Sequence, residues 1–239
     1  KIDYNKIKDP EFFMENRMPA HSDHEFYKDD SELQLRNSSF RYSLNGLWKF
    51  AYSKNLNLAV NGFEKADYNA YDWDTIHVPA HIQMEGYDVP QYANVQYPWD
   101  GREQIEPGEI PKDFNPVAHY VKYFKLPANF ERKRTMLSFQ GVESGVIVWL
   151  NGSYIGYSED SFTPAEFDVT DYLTEGTNKL AVQVIKWTAG SWCEDQDFFR
   201  FSGIFRDVFL YYIPEVHVRD LKIRTPLSDD FKQGTLELE

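Results

Sequence analysis

An all-β fold, a β-sandwich or jelly roll, is predicted for this chain by three observations. Aromatic residues make up 17% of it, with 18 Phe, 16 Tyr and 6 Trp, and such side chains suit the pleated, half-buried surface of strands. Short apolar or alternating runs recur along the chain with turn residues between them. No stretch shows the sustained 3.6-residue period of a long amphipathic helix. Many short strands at this spacing argue a sandwich closed by loops.

The elements follow in order. Lys1 to Arg36 has no clean period and carries Pro10, Pro19, His21, His24 and the acidic run Asp29-Asp30-Ser31-Glu32. It reads as an extended arm with one short helical turn. Two readings of it stand: a solvated tail, or an arm packed on another domain or subunit. Phe12, Phe13, Met14, Phe26 and Tyr27 suit the second, because a solvated tail has little use for them. Gly46 to Tyr52 alternates and opens the strands. Further strands are expected at His119 to Leu126, Arg134 to Gln140, Val146 to Leu150, Ser153 to Tyr157, Ala165 to Thr170, Asn178 to Trp187 and Arg206 to Ile213. The most specific local signal is Asn151-Gly152 between two of these runs. Asn-Gly supplies the positive φ angles of a type I′ turn, whose twist matches its flanking strands. Pro79 to Pro116 contains Pro90, Pro98, Pro107 and Pro111, so it cannot be central sheet. A loop this long in a compact domain is usually functional or disordered, and Tyr97 and Trp99 within it favour order and function. After Pro214, Val216 to Arg224 alternates again and Thr235 to Glu239 starts another strand. Two strands do not bury a core of their own, so this end reads as the opening of a second, truncated domain.

Charge and composition exclude several classes. The net charge is −13, against a nucleic-acid binder or a binder of anionic membranes, both of which need a basic patch. No apolar run approaches the ~20 residues of a membrane-spanning helix. Lys1 to Pro10 is mostly polar, with no apolar segment of a secretory signal behind it, so a cytoplasmic location is expected. Cys193 is the single cysteine, which excludes an internal disulfide framework. Acids beside it disfavour the thiolate, and it reads as an inert small hydrophobe.

Among candidate sites, Glu194-Asp195-Gln196-Asp197 stands out, flanked by Trp192 and Phe198-Phe199. Carboxylates so close repel one another unless something compensates. A hard cation would do so, and carboxylates also accept hydrogen bonds from sugar hydroxyls while aromatic faces stack on sugar rings. A solvated acidic turn is the plain alternative. His77 and His81 stand four apart, but Pro79 between them disfavours a helix, and zinc ligation is not expected. Ser144 in Gly141-Val-Glu-Ser-Gly145 lacks the Gly-x-Ser-x-Gly pattern and strand-to-helix setting of a nucleophile elbow, and reads as a turn between strands. No strand–helix alternation for a (β/α)₈ barrel is present.

Seven motifs in order carry a family resemblance. They are Asn45-Gly-Leu-Trp-Lys-Phe50, Val78-Pro-Ala-His-Ile-Gln-Met-Glu-Gly-Tyr87, Tyr92-Ala-Asn-Val-Gln-Tyr-Pro98, Gly141-Val-Glu-Ser144 with Val148-Trp-Leu-Asn-Gly-Ser-Tyr-Ile-Gly-Tyr157, Ser158 to Asp168, Glu194-Asp-Gln-Asp197, and Arg200-Phe-Ser-Gly-Ile-Phe-Arg-Asp207. The chain resembles the N-terminal domain of glycoside hydrolase family 2 enzymes, most closely the large bacterial β-galactosidases. The resemblance implies an extended arm over residues 1–36, a galactose-binding-domain-like jelly roll over 37–214, and the start of a truncated immunoglobulin-like domain over 215–239. It implies that the arm reaches a subunit interface of a homo-oligomeric parent. It implies that Asn94 lies near the catalytic centre, and that Asp197 binds the galactosyl 6-hydroxyl and a sodium ion. Magnesium is implied for the parent enzyme. Ala189 stands where some relatives carry an acidic residue. The acid/base and nucleophile glutamates, and the barrel that bears them, are expected beyond residue 239, so no catalytic residue is expected in this chain. The alternative functions are a stand-alone carbohydrate-binding module and a subunit-assembly domain.

Overall fold

The computed structural model describes residues 3–130 and 133–239; the first two residues of the arm lie outside them. In chain order the strands are β1 (Met14–Glu15), β2 (Arg41–Ser43), β3 (Gly46–Ser53), β4 (Asp74–Val78), β5 (Tyr92–Ala93), β6 (Val117–Phe124), β7 (Thr135–Phe139), β8 (Val142–Glu143), β9 (Gly145–Leu150), β10 (Ser153–Ser158), β11 (Ala165–Asp168), β12 (Asn178–Ile185), β13 (Phe198–Phe199), β14 (Gly203–Ile204), β15 (Val208–Tyr212), β16 (Ile223–Arg224) and β17 (Glu237–Leu238). The α-helices among the described residues are short, α1 (Asp30–Leu35) and α2 (Ser191–Glu194). One sheet runs β1-β10-β9-β12-β6-β3-β4 and the facing sheet β11-β7-β15-β2, with antiparallel pairing throughout both. This is the all-β jelly-roll sandwich that the aromatic short strands predict.

Alternation sets which side chains fill the sandwich. Trp48 and Phe50 of β3, Tyr120 of β6, Val146 and Val148 of β9, and Leu180, Val182 and Val184 of β12 meet Leu137 and Phe139 of β7, Phe167 of β11 and Leu210 of β15 in one core. On the central strands of the larger sheet the intervening residues are not exposed either. Ile147, Trp149, Tyr157, Ala181, Ile185 and Val121 form a second core on its outer face, with Ile7, Phe63, Ala70 and Ile110 over them. That is why Val146 to Leu150 reads as an unbroken apolar run rather than an alternating one. Each large apolar side chain fully buried here contributes on the order of 1.5–3 kcal/mol.

The arm supplies part of that cover. Met14 and Glu15 extend the sheet beyond β10, Phe12 stacks on Tyr157 with 5.5 Å between ring centroids, and the Ala189 N–H donates to the Ile7 carbonyl. Of the residues that argue against a free tail, Phe12 and Phe26 therefore find partners within this chain, Phe26 against Phe40 and His217, whereas Phe13 and Met14 are exposed. The short helical turn expected in the arm is met by α1, capped by the Asp29 side chain accepting from the Glu32 N–H.

Asn151 and Gly152 both take positive φ, 52° and 86°, as the type I′ turn requires. The Asn151 side chain also donates to the Tyr172 carbonyl and to Asn178 Oδ1, both at 2.8 Å, and accepts from the Lys179 N–H at 2.8 Å. Asn151→Ala is expected to cost about 2 kcal/mol in a denaturant titration, from lost hydrogen bonds and a left-handed backbone alanine dislikes. Asn151→Gly, which restores the backbone freedom alone, should recover part of it; a loss below about 0.5 kcal/mol for alanine, the size of an ordinary surface substitution, would contradict this role.

Two expectations are corrected. The strand expected over Val216 to Arg224 is confined to Ile223–Arg224, paired with Glu237–Leu238. A strand needs a hydrogen-bonded neighbour, and the preceding residues lie along the arm instead. Asp220 Oδ1 accepts from the Ser22 N–H at 2.7 Å and the Leu221 N–H donates to Ser22 Oγ at 2.9 Å. The turn expected at Gly141 to Gly145 is a strand pair, β8 with β14, and Ser144 is buried beside it.

Candidate functional site

The long proline-rich loop and the acidic loop converge at one end of the sandwich. Prolines remove hydrogen-bond donors from the 79–116 segment, so side chains hold it. Tyr97 stacks on Trp99, with centroids 5.0 Å apart, and Trp192 packs on both at 4.6 and 5.0 Å. The Tyr97 hydroxyl donates to the Trp192 carbonyl at 2.8 Å, and Trp192 Nε1 donates to the Glu109 carbonyl at 2.8 Å. At the start of the loop, Gln83 is bonded to Ser202 through both side chain and backbone, at 2.9 and 3.0 Å.

This bracing presents a two-stranded ribbon. β5 pairs with β13, Phe198 opposite Ala93 and Phe199 opposite Tyr92. The pairing continues at both ends. The Arg200 N–H donates to the Gln91 carbonyl at 2.7 Å, and the Asp197 N–H donates to the Asn94 carbonyl at 3.2 Å. Asn94 and Asp197, far apart in sequence, are thus joined directly through their backbones. Both are exposed. Asp197 has φ of 51°, a left-handed conformation that Asp and Asn adopt more readily than most residues, and the Tyr92 hydroxyl donates to its Oδ1 at 2.6 Å.

The acids of the Glu194–Asp197 loop are compensated separately. Glu194 accepts from the Ser161 hydroxyl at 2.7 Å. Asp195 is 4% exposed and lies 3.8 Å from Arg200 Nη1. Asp197 alone of the three keeps its carboxylate on the surface. Repulsion in the loop is therefore relieved largely by protein partners, and Asp197 is the acid that remains accessible to solvent. Cys193, expected as a small hydrophobe, is exposed.

Beneath the ribbon lies a buried charged cluster that sequence reasoning missed. Lys186 pairs with Asp88 at 2.5 Å, Arg200 with Asp195, and Glu143 sits 3.7 Å from His81 Nδ1. His81 is sandwiched between Phe201 and Phe205 at 4.7 and 5.0 Å. Burial pushes Glu143 up to about 8, helped by Asp195 and Glu194 and opposed by Lys186 and Arg200. Burial likewise pushes Asp195 up to about 6, opposed first by Arg200. From its ordinary 4.5 to about 8, Glu143 keeps a proton in the folded chain that the unfolded chain has released. Stability therefore falls as pH rises through that window, by up to about 1.4 kcal/mol per unit. Asp195 adds the same sign only below about pH 6, and His119 and His81, held neutral by burial, add the opposite sign up to about pH 7, so Glu143 dominates the range from about pH 7 to 8. Glu143→Gln should flatten the dependence of Tm on pH there; an unchanged slope would show that Glu143 does not carry it.

Other candidates do not assemble. No group of three His, Cys, Asp or Glu side chains suited to a metal occurs among the described residues. His77 faces Glu85 at 3.4 Å and His21 faces Glu166 at 2.7 Å. A cavity of about 920 Å³ lies away from the ribbon, between arm residues 18–27 and the outer face of the smaller sheet. Its charges are largely paired already, Arg41 with Glu25 and Asp207, His21 with Glu166, and Arg134 with Asp168. No helix of the described residues is long and apolar enough to cross a membrane.

Comparison with known proteins adds the family. Residues 41–214 match the model of the glycosyl hydrolases family 2, sugar binding domain. A β-galactosidase of Clostridium acetobutylicum is 50% identical over 98% of this chain and 26% of its own length. One from Halalkalibacterium halodurans is 52% identical over 97% of this chain and 23% of its own length. The chain thus spans about a quarter of the length of these curated relatives. A solved β-glucuronidase of Bacteroides uniformis superposes with a TM-score of 0.61 over 83% of this chain and 21% of its own length, at 22% identity, a likeness of fold.

Proposed function

We propose, from the premise that this chain belongs to family 2 of the glycosyl hydrolases, as its sugar binding domain, that it is the N-terminal part of a β-galactosidase acting on terminal non-reducing β-D-galactosides such as lactose. The similarity to β-galactosidases along nearly the whole chain supports this reading. The observation that carries the site is the ribbon, which sets Asn94 and the exposed Asp197 side by side. In this reading Asp197 accepts a hydrogen bond from a galactosyl hydroxyl, and the Asn94 amide completes the polar rim. A charged acceptor makes such a bond roughly twice as strong as a neutral one. Contacts to a hydroxyl remote from the scissile bond orient the sugar, and their binding energy is available to the chemical step.

The chemistry itself needs two carboxyl groups, an acid/base and a nucleophile for a retaining reaction, and these belong to the barrel of the parent rather than to this chain. Asp197 could serve a sodium ion only as one oxygen ligand among several, since a single exposed carboxylate stands there. Sodium would supply a fixed positive charge for sugar oxygens. No cluster of three ligating side chains that would hold magnesium occurs among the described residues; in this reading the magnesium is held elsewhere in a homo-oligomeric parent.

The test is direct. The enzyme containing this chain together with its barrel is expected to release galactose from lactose, and the 239-residue chain alone to release none above a blank. Turnover by the chain alone that survives re-purification would overturn the division of labour. Failure of the longer enzyme to cleave β-galactosides would overturn the substrate.

A further inference from the structure

A two-stranded ribbon is marginally stable on its own in water, and this one is poorly covered. Tyr92 is 55% exposed and Phe199 is 58% exposed. Yet its residues hold a defined register at both ends. What lies under it is Arg200. This side chain is fully buried, and its guanidinium crosses from one strand of the ribbon to the other. The backbone of Arg200 belongs to the β13 side, where its N–H donates to the Gln91 carbonyl. Its Nη2 reaches the Ala93 carbonyl at 3.5 Å on the β5 side, and its Nη1 lies 3.8 Å from Asp195. Arg200 Nε and Nη1 make no hydrogen bond to the described residues. Removing a guanidinium from water costs several kcal/mol, and an arrangement that leaves donors unmet does not return that cost as stability. The positive charge lies among Asp195, Glu143 and Asp197, so it offsets the acids that converge on this end.

We propose that Arg200 is a positioning residue: a buried strut that locks Asn94 and Asp197 into one geometry for the sugar. The sugar half of this statement rests on the galactoside reading above; the strut itself does not. The fork matters as well as the charge. Lysine at this position would keep a positive charge but not the planar group that reaches the Ala93 carbonyl and the Asp195 carboxylate at once, whereas methionine would keep a similar apolar stem and lose the charge.

Amide hydrogen exchange in the whole chain tests it, because local opening of a segment shows as faster exchange there alone. Arg200→Met should accelerate exchange at the Asp197 and residue-200 amides roughly tenfold or more relative to the β12 amides, and Arg200→Lys should fall between it and the parent chain. Unchanged exchange in the ribbon, or acceleration shared equally by β12, would overturn the strut. Galactose added to the same samples separates the two readings. Shifts at Asn94 and Asp197 in the parent chain that vanish in Arg200→Met support positioning for sugar. Ribbon loosening without any galactose response in the parent chain keeps the strut and overturns the sugar half.

Discussion

Asp197→Asn, made in the enzyme that contains this chain, is expected to lower kcat/KM for β-galactosides by roughly 3- to 10-fold while leaving Tm within about 1 °C. The local geometry makes this substitution clean. Asp197 is exposed and its φ of 51° is one asparagine tolerates. Asparagine also keeps an oxygen to accept from Tyr92 and leaves the backbone bond to Asn94 in place. What goes is the negative charge. A hydrogen bond to a charged group contributes about 1.5–3 kcal/mol, about half of which the neutral amide keeps, and each 1.4 kcal/mol is tenfold, which gives the expected range. If Asp197 also ligates sodium, the response of activity to sodium should weaken in the same variant. A kcat/KM within twofold of the parent enzyme would remove Asp197 from the site.

Phe167→Ala is expected to give the largest loss of stability, about 3–5 kcal/mol, the usual cost of emptying a buried phenylalanine site. Phe167 is fully buried in the sandwich core, and its neighbours are held from two sides. β11 is pinned to β7, with Phe167 opposite Leu137. On the other side the chain bulges between Tyr154 and Gly156, and a Cβ at Gly156 would fall 2.5 Å from both the Phe167 ring and the Glu15 carbonyl oxygen. A site walled by a ring contact this close, with β1 behind it, has little room to collapse into a cavity. At about 2–4 °C per kcal/mol for a chain of this size, Tm should drop by roughly 10 °C. Leu35→Ala, at 74% exposed, is the control and should move stability by no more than about 0.5 kcal/mol. A drop for Phe167→Ala no larger than the control's would mean that the two sheets do not share this core.

What could be read ahead of the structure follows the range of each interaction. The Asn151-Gly152 hairpin was legible because a type I′ turn is decided by two adjacent residues. The long central strands were legible because apolar runs of their length need burial. Their ends were less so: the apolar run expected to continue to Trp187 leaves the sheet after Ile185, since Trp187 belongs to the tryptophan cluster with Trp99. The edge strand β4 and the two-residue strands β5, β8, β13 and β14 escaped because each exists only through a partner far away in the chain. Val216 to Arg224 failed in the opposite sense, alternating in sequence but lacking a neighbouring strand over most of its length.

The site divides in the same way. Asn94 and Asp197 were named from motif resemblance, and nothing in their spacing announces that their backbones meet. That Arg200, Glu143, Lys186 and Asp195 are buried together escaped, although Asp195 lies in the acidic loop that stands out in the sequence. Hydropathy assigns charged residues to the surface, whereas here they are buried together under the ribbon, each depending on the others for compensation.

The most direct test of the central claim, that this chain already carries an assembled part of a galactoside site, is to titrate galactose into the chain in sodium-containing buffer and follow its backbone amides by nuclear magnetic resonance. The account expects saturable shifts in the millimolar range, about −4 kcal/mol, centred on Tyr92 to Asn94 and Gln196 to Arg200 and abolished by Asp197→Asn. Shifts centred elsewhere, or none at saturating sugar, would contradict it.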